Sequence, residues 1–150
     1  MNENEKREDE QDIKDTEDRK KKEQEEREKI HKTAEMAVEI AAKGKMPLAV
    51  PLKDGDRMIE ELEYDFLKLN GVEYADALDE MDDGRGTGFK INKKQAINLF
   101  CAAVAKCTPG LFQKEIMERL SVRDAINAAR IATLFFAASS RAASFLITKQ

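Results

Sequence analysis

The chain has 150 residues, of which 37% are charged and 6% aromatic, with no tryptophan and a formal net charge of −4. That length holds one domain with room for a tail, and so polar a composition excludes a core running through all of it. The negative balance excludes a broad basic field for nucleic acid, and the charged N-terminus has no apolar run of the kind a signal peptide needs.

Residues 1–30 carry thirteen acidic and nine basic side chains, with Met1, Ile13 and Ile30 as their only aliphatic residues. No apolar stripe exists there at any period, so the segment reads as a solvated tail, either disordered or a single helix supported by i,i+4 pairs. Over residues 31–43, Ala34, Ala37, Val38, Ile40 and Ala41 make a short amphipathic helix, which Gly44 and Pro47 stop. The tail is therefore assigned to residues 1–46 and the folded domain to residues 47–150.

From Pro47, the residues Leu48, Val50 and Leu52 alternate with Ala49 and Pro51, which is strand periodicity. Asp54–Gly55 supplies the positive-φ turn of a tight hairpin. The return strand starts at Arg57, with Met58, Leu62 and Tyr64 expected on one face. A lone hairpin is marginal in water, so it must lean on the helices or on another chain.

Four helices follow. Asn70 with Glu73, and Asn92 with Gln95, form capping-box patterns, and Ser121 with Asp124 caps the last and longest helix. The first helix carries Tyr74, Ala77, Leu78 and Met81, and residues 84–88 are a glycine-rich break. The second carries Ala96, Ile97, Phe100, Ala103, Val104 and Cys107, and stops at Thr108–Pro109–Gly110. A shorter helix holds Phe112, Ile116, Met117 and Leu120. The expected fold is thus mainly α, about four helices with one N-terminal β-hairpin, behind a charged disordered or single-helix tail.

The last helix is apolar on more than one side. Val122, Ile126, Ala129, Thr133, Phe136 and Ser140 form one stripe, whereas Leu134, Phe135, Ala138 and Phe145 lie largely outside it. The second face belongs either at the centre of a helical cluster or against another chain. The window 131–140, bracketed by Arg130 and Arg141, is shorter than the roughly 20 apolar residues a membrane span needs. The chain is accordingly expected to be soluble and intracellular, with no membrane partner. Charge is segregated as well: residues 54–83 hold twelve acidic against two basic side chains, and residues 85–150 three against eleven. These halves either face one another and solvent or favour head-to-tail association.

Candidate chemistry is sparse. His31 is the only histidine, at the edge of the tail, which argues against a histidine-based base or triad. Cys101 and Cys107, six apart on one helix, cannot bridge each other there and fit no zinc pattern. The glycine-rich stretch before Lys90 lacks the strand and the Lys-Ser or Lys-Thr pair of a phosphate loop. Asp79, Glu80, Asp82 and Asp83 lack a calcium loop's alternating ligands, and Arg85, Lys90, Lys93 and Lys94 lack base-stacking aromatics beyond Phe89. No catalytic residue, metal or cofactor is expected, and no nucleic-acid partner.

The order of features carries a resemblance. A Pro-Leu-rich strand, an Asp-Gly turn and a Glu-Leu-rich strand lead into Phe66-Leu-Lys-Leu-Asn-Gly71, an acidic helix and Ala-rich helices. The pattern closes with Leu120-Ser-Val-Arg-Asp-Ala125 and Ala132-Thr-Leu-Phe-Phe136. Over roughly residues 47–147 this resembles the tail assembly chaperones of Mu-like and related long-tailed phages and prophages. The resemblance implies a small non-enzymatic helical chaperone in the host cytoplasm, absent from the mature virion. It would bind the tape-measure protein, the tail-tube protein or both, and also itself or a longer frameshifted form. Leu134, Phe135, Ala138 and Phe145 are the expected protein-contact residues. The alternative is a self-associating structural adaptor.

Overall fold

A single helix, α1 (Glu3–Ala42), occupies the N-terminal quarter of the chain. It opens after Asn2 with Glu3 and Glu5 in its first turn, where carboxylates meet the positive end of the helix dipole. Residues 2–30 are exposed throughout. This part of the helix therefore rests on the propensity of Glu, Lys, Arg and Gln rather than on burial. Its last turns differ, since His31, Ala34, Val38 and Ala41 are half-buried and Ala42 is fully buried. Of the two forms open to the tail, the chain adopts the helical one. The computed structural model describes residues 2–79 and 90–148, with side chains over 2–78 and 90–144. The glycine-rich break at 84–88, with Met81, Glu80, Asp82, Asp83, Arg85 and Phe89, lies outside the described residues.

The chain passes from α1 directly into the hairpin of β1 (Lys43–Asp54) and β2 (Arg57–Asp65). Gly55, at φ 60°, is the first of two turn residues between the paired Asp54 and Arg57, the pattern of a II′ turn. Pairing is regular from Lys43↔Asp65 to Pro47↔Glu61 and resumes at Leu52↔Ile59, so residues 48–51 of β1 face Glu60 alone. Pro47 and Pro51, which have no N–H to give a ladder, bracket this wide bulge. The bulge breaks the expected alternation. Leu52 is buried, but Val50 is exposed; Met58 is exposed too, whereas Leu62 is buried and Tyr64 half-buried.

A single 3-10 turn at Phe66–Lys68 leads to α2 (Gly71–Asp79), α3 (Lys93–Cys107), α4 (Gln113–Arg119) and α5 (Val122–Thr148). The capping boxes form as read: Asn70 and Glu73 exchange two bonds of 2.9 and 3.2 Å, and Asn92 and Gln95 two of 2.8 and 3.0 Å. Gln95 also donates to the Leu78 carbonyl at 2.7 Å, joining the start of α3 to α2.

The helix buried on all sides is α3, with Asn98, Leu99, Phe100, Cys101, Ala102, Ala103 and Val104 consecutively buried. It packs against β2, α2, α4 and α5. Tyr64, Phe66, Phe100 and Phe135 form the aromatic part of this core. In α4, Ile116 is buried while Phe112, expected beside it, is exposed, and Leu111 fills the core instead. On α5 the buried face is Asp124, Ala128, Ala132 and Phe135, so within the expected stripe Val122, Ile126 and Thr133 are exposed while Ala129, Phe136 and Ser140 are half-buried.

Asp124 explains that rotation. It is fully buried, and its two carboxylate oxygens accept from the backbone N–H groups of Ala49 at 2.8 Å and Val50 at 3.1 Å. These are the donors that the bulge removes from the ladder. Ser121 donates its hydroxyl to the same carboxylate at 2.8 Å and accepts from the Asp124 N–H at 3.1 Å. Burial alone would raise the Asp124 pKa, but the Ala49 N–H, the Ser121 hydroxyl, the Val50 N–H and nearby Arg123 together hold it below its ordinary 3.8. A carboxylate lowered in the folded state stabilises the fold above the unfolded pKa, and that stabilisation is lost as pH falls through the folded value. Asp124→Asn is therefore expected to cost about 2 kcal/mol at neutral pH in urea unfolding. It should also flatten the stability loss that the parent chain shows on acidification below about pH 4.

Candidate protein-binding groove

Where α1 and α5 pack together they leave an open groove of about 740 Å³. Ala34, Ala37, Ile40 and Ala41 line it from α1, Ile131, Leu134 and Ala138 from α5, and Tyr64 of β2 forms part of its wall. Half of these side chains are alanines, so the helices flank a trough able to receive larger ones. Ile40 and Leu134, on the two facing helices, stand 77% and 66% exposed.

Tyr64 holds its position through contacts on three sides. Its ring lies 5.5 Å from that of Phe66 and 5.3 Å from that of Phe100, both tilted by about 50°. Across the hairpin it pairs with Gly44, where a Cβ would come within 2.7 Å of the phenol oxygen. The glycine thus leaves room for the ring to lie across β1. Burial raises the Tyr64 pKa, keeping the phenol neutral.

Among the described residues the cationic lining side chains are Lys29 and Arg141, and no carboxylate lines the groove. Neither cation takes part in an ion pair among the described residues. Elsewhere Lys106 of α3 bridges Glu73 of α2, joining the basic and acidic segments of the chain. The Lys106 partner and the Asn70 backbone N–H lower the Glu73 pKa against a small opposing effect of burial.

The four residues expected at a protein contact separate. Leu134 and Ala138 line the groove. Phe135 is only 7% exposed and stacks on Phe66 at 4.6 Å and 10°, so its contact is internal. The side chain of Phe145 lies outside the described residues. Sequence reasoning missed the α1 wall and Tyr64. The amphipathic end of α1 was visible, but nothing in its spacing indicated α5 as its neighbour.

Both cysteines are free; Cys101 is buried and Cys107 half-buried. Burial pushes the Cys101 thiol up to about 12, which makes it a poor nucleophile. Among the described residues no group of His, Cys, Asp and Glu is placed to hold a metal ion, and no helix is long and apolar enough to cross a membrane. Comparison with family models, curated proteins and solved structures finds no match.

Two outcomes follow from this geometry. Leu134→Asp should leave the unfolding free energy within about 0.5 kcal/mol of the parent, whereas Phe135→Ala should cost about 3 kcal/mol. Gly44→Ala should cost about 1–2 kcal/mol by overpacking against Tyr64, and a double-mutant cycle should show a smaller cost in a Tyr64→Phe background.

Proposed function

We propose that this chain is a non-enzymatic binding protein of the tail assembly chaperone kind. In this reading it holds the tape-measure or tail-tube protein in the host cytoplasm during tail morphogenesis and leaves before the virion is complete. The observation that carries the binding role is the α1–α5 groove, where Ile40 and Leu134 remain exposed beside a lining that includes four alanines. Exposed apolar surface of this kind marks sites of association, and a groove between two helices suits a third helix. The ordered resemblance over roughly residues 47–147 supplies the class of client.

The exposed part of α1 fits the same role. A helix of alternating charge with Ile13 as its only aliphatic residue before Ile30 adds hydration and no competing apolar surface. It would keep a complex soluble while the apolar groove is engaged.

Co-expression with tape-measure and tail-tube proteins is expected to recover a complex with at least one of them. Leu134→Asp should abolish recovery while leaving the thermal melt unchanged. Recovery of neither client, or stoichiometric incorporation of the chain into mature virions, would overturn the reading. A concentration-dependent self-association that weakens with salt, with no client bound, would favour the adaptor alternative.

A further inference from the structure

We propose that the α1–α5 groove seats one amphipathic helix of a different protein, with large apolar side chains facing inwards and carboxylates flanking them. This rests on the binding role proposed above and specifies the chemistry of the segment bound.

The lining sets the apolar requirement. Ala34, Ala37, Ala41 and Ala138 leave a volume of about 740 Å³ that small residues cannot fill. Leucine, methionine or phenylalanine side chains would complement that relief, as knobs entering holes. The α1 wall runs from Lys29 to Ala41. At the helical rise this is about 18 Å, the length of an inserted helix of roughly twelve residues with anchors at i, i+4, i+7 and i+11.

Charge sets the flank. The two cationic lining residues have no ion partner among the described residues, and beside apolar surface such a cation gains most from a carboxylate. A lysine-flanked helix would meet like charge there instead.

A second copy of this chain is a poor occupant. The acidic stretch of α1 before Ile30 has Ile13 as its only aliphatic residue past Met1, and the exposed aliphatic side chain of α2 is Val72 alone. Neither element offers a row of large anchors, and the exposed Val122 and Ile126 of α5 stand beside the exposed Arg123 and Arg130, which would bring like charge to the groove.

The test uses the full-length protein and two fluorescent synthetic helices of about fourteen residues, with identical leucine anchors and all-Glu or all-Lys flanks. At about 50 mM NaCl the Glu helix is expected to bind at least about ten-fold tighter by anisotropy, a margin that shrinks several-fold at about 500 mM. Lys29→Glu with Arg141→Glu should reverse the preference, and Leu134→Ser should weaken the Glu helix about ten-fold. Unchanged melting curves would establish that these exposed substitutions leave the fold intact. Equal affinity for the two helices, or binding of neither, would overturn the inference. Capture of a tail client without charge preference would overturn it while leaving the chaperone reading standing. Selective Glu-helix binding without client capture would do the reverse.

Discussion

The buried carboxylate of Asp124 is the constraint on which the arrangement of the domain depends. A wide bulge in β1 leaves the Ala49 and Val50 amides without ladder partners, and the first turn of α5 supplies the acceptor for both. Without these donors the fully buried Asp124 carboxylate would lose more than the net value of an ordinary hydrogen bond, because its desolvation would go uncompensated. This pairing locks the rotation of α5 about its axis. Ala128, Ala132 and Phe135 then face the core, and Leu134 and Ala138 are left towards α1. The groove is thus a consequence of a polar contact at the opposite end of the same helix.

Further polar contacts fix the remaining helices. Arg119 at the end of α4 donates to the Lys53 carbonyl at 2.7 Å, next to the hairpin turn, and Gln113 reaches the Asn98 carbonyl at 3.2 Å. These hold α4 between the strands and α3. Small side chains do the rest: fully buried Ala103, Ala128 and Ala132 permit close approach between α3 and α5, which the aromatic cluster closes. The long exposed part of α1 takes no share in this packing and extends from the one end that does.

What was legible in the sequence was whatever local chemistry decides. Asn70, Asn92 and Ser121 mark helix starts because the first turn of a helix leaves donors that their side chains satisfy. Gly55 marks the hairpin because the turn demands positive φ there. The inward face of α5 was not legible. Its most apolar stripe begins at Val122 and Ile126, both exposed, because Asp124 outranks them in fixing which side turns inward. A buried acidic residue reads as a cap in sequence, and only the bulge reveals its second set of partners. The alternation in β1 misled for the same reason, since an irregular strand has no single period. In the candidate site, Leu134 and Ala138 were visible as surplus apolar surface, while Phe135 was not distinguishable from them without its stacking partner Phe66.

Amide hydrogen exchange at Ala49 and Val50 tests the central claim most directly. Both residues are exposed and sit in a bulge, so any slow exchange must come from the Asp124 carboxylate. The account expects both amides to be protected to a degree comparable with the paired amides of the hairpin, and expects Asp124→Asn to remove most of that protection. Exchange of either amide at the rate of an unpaired loop in the parent chain would contradict it.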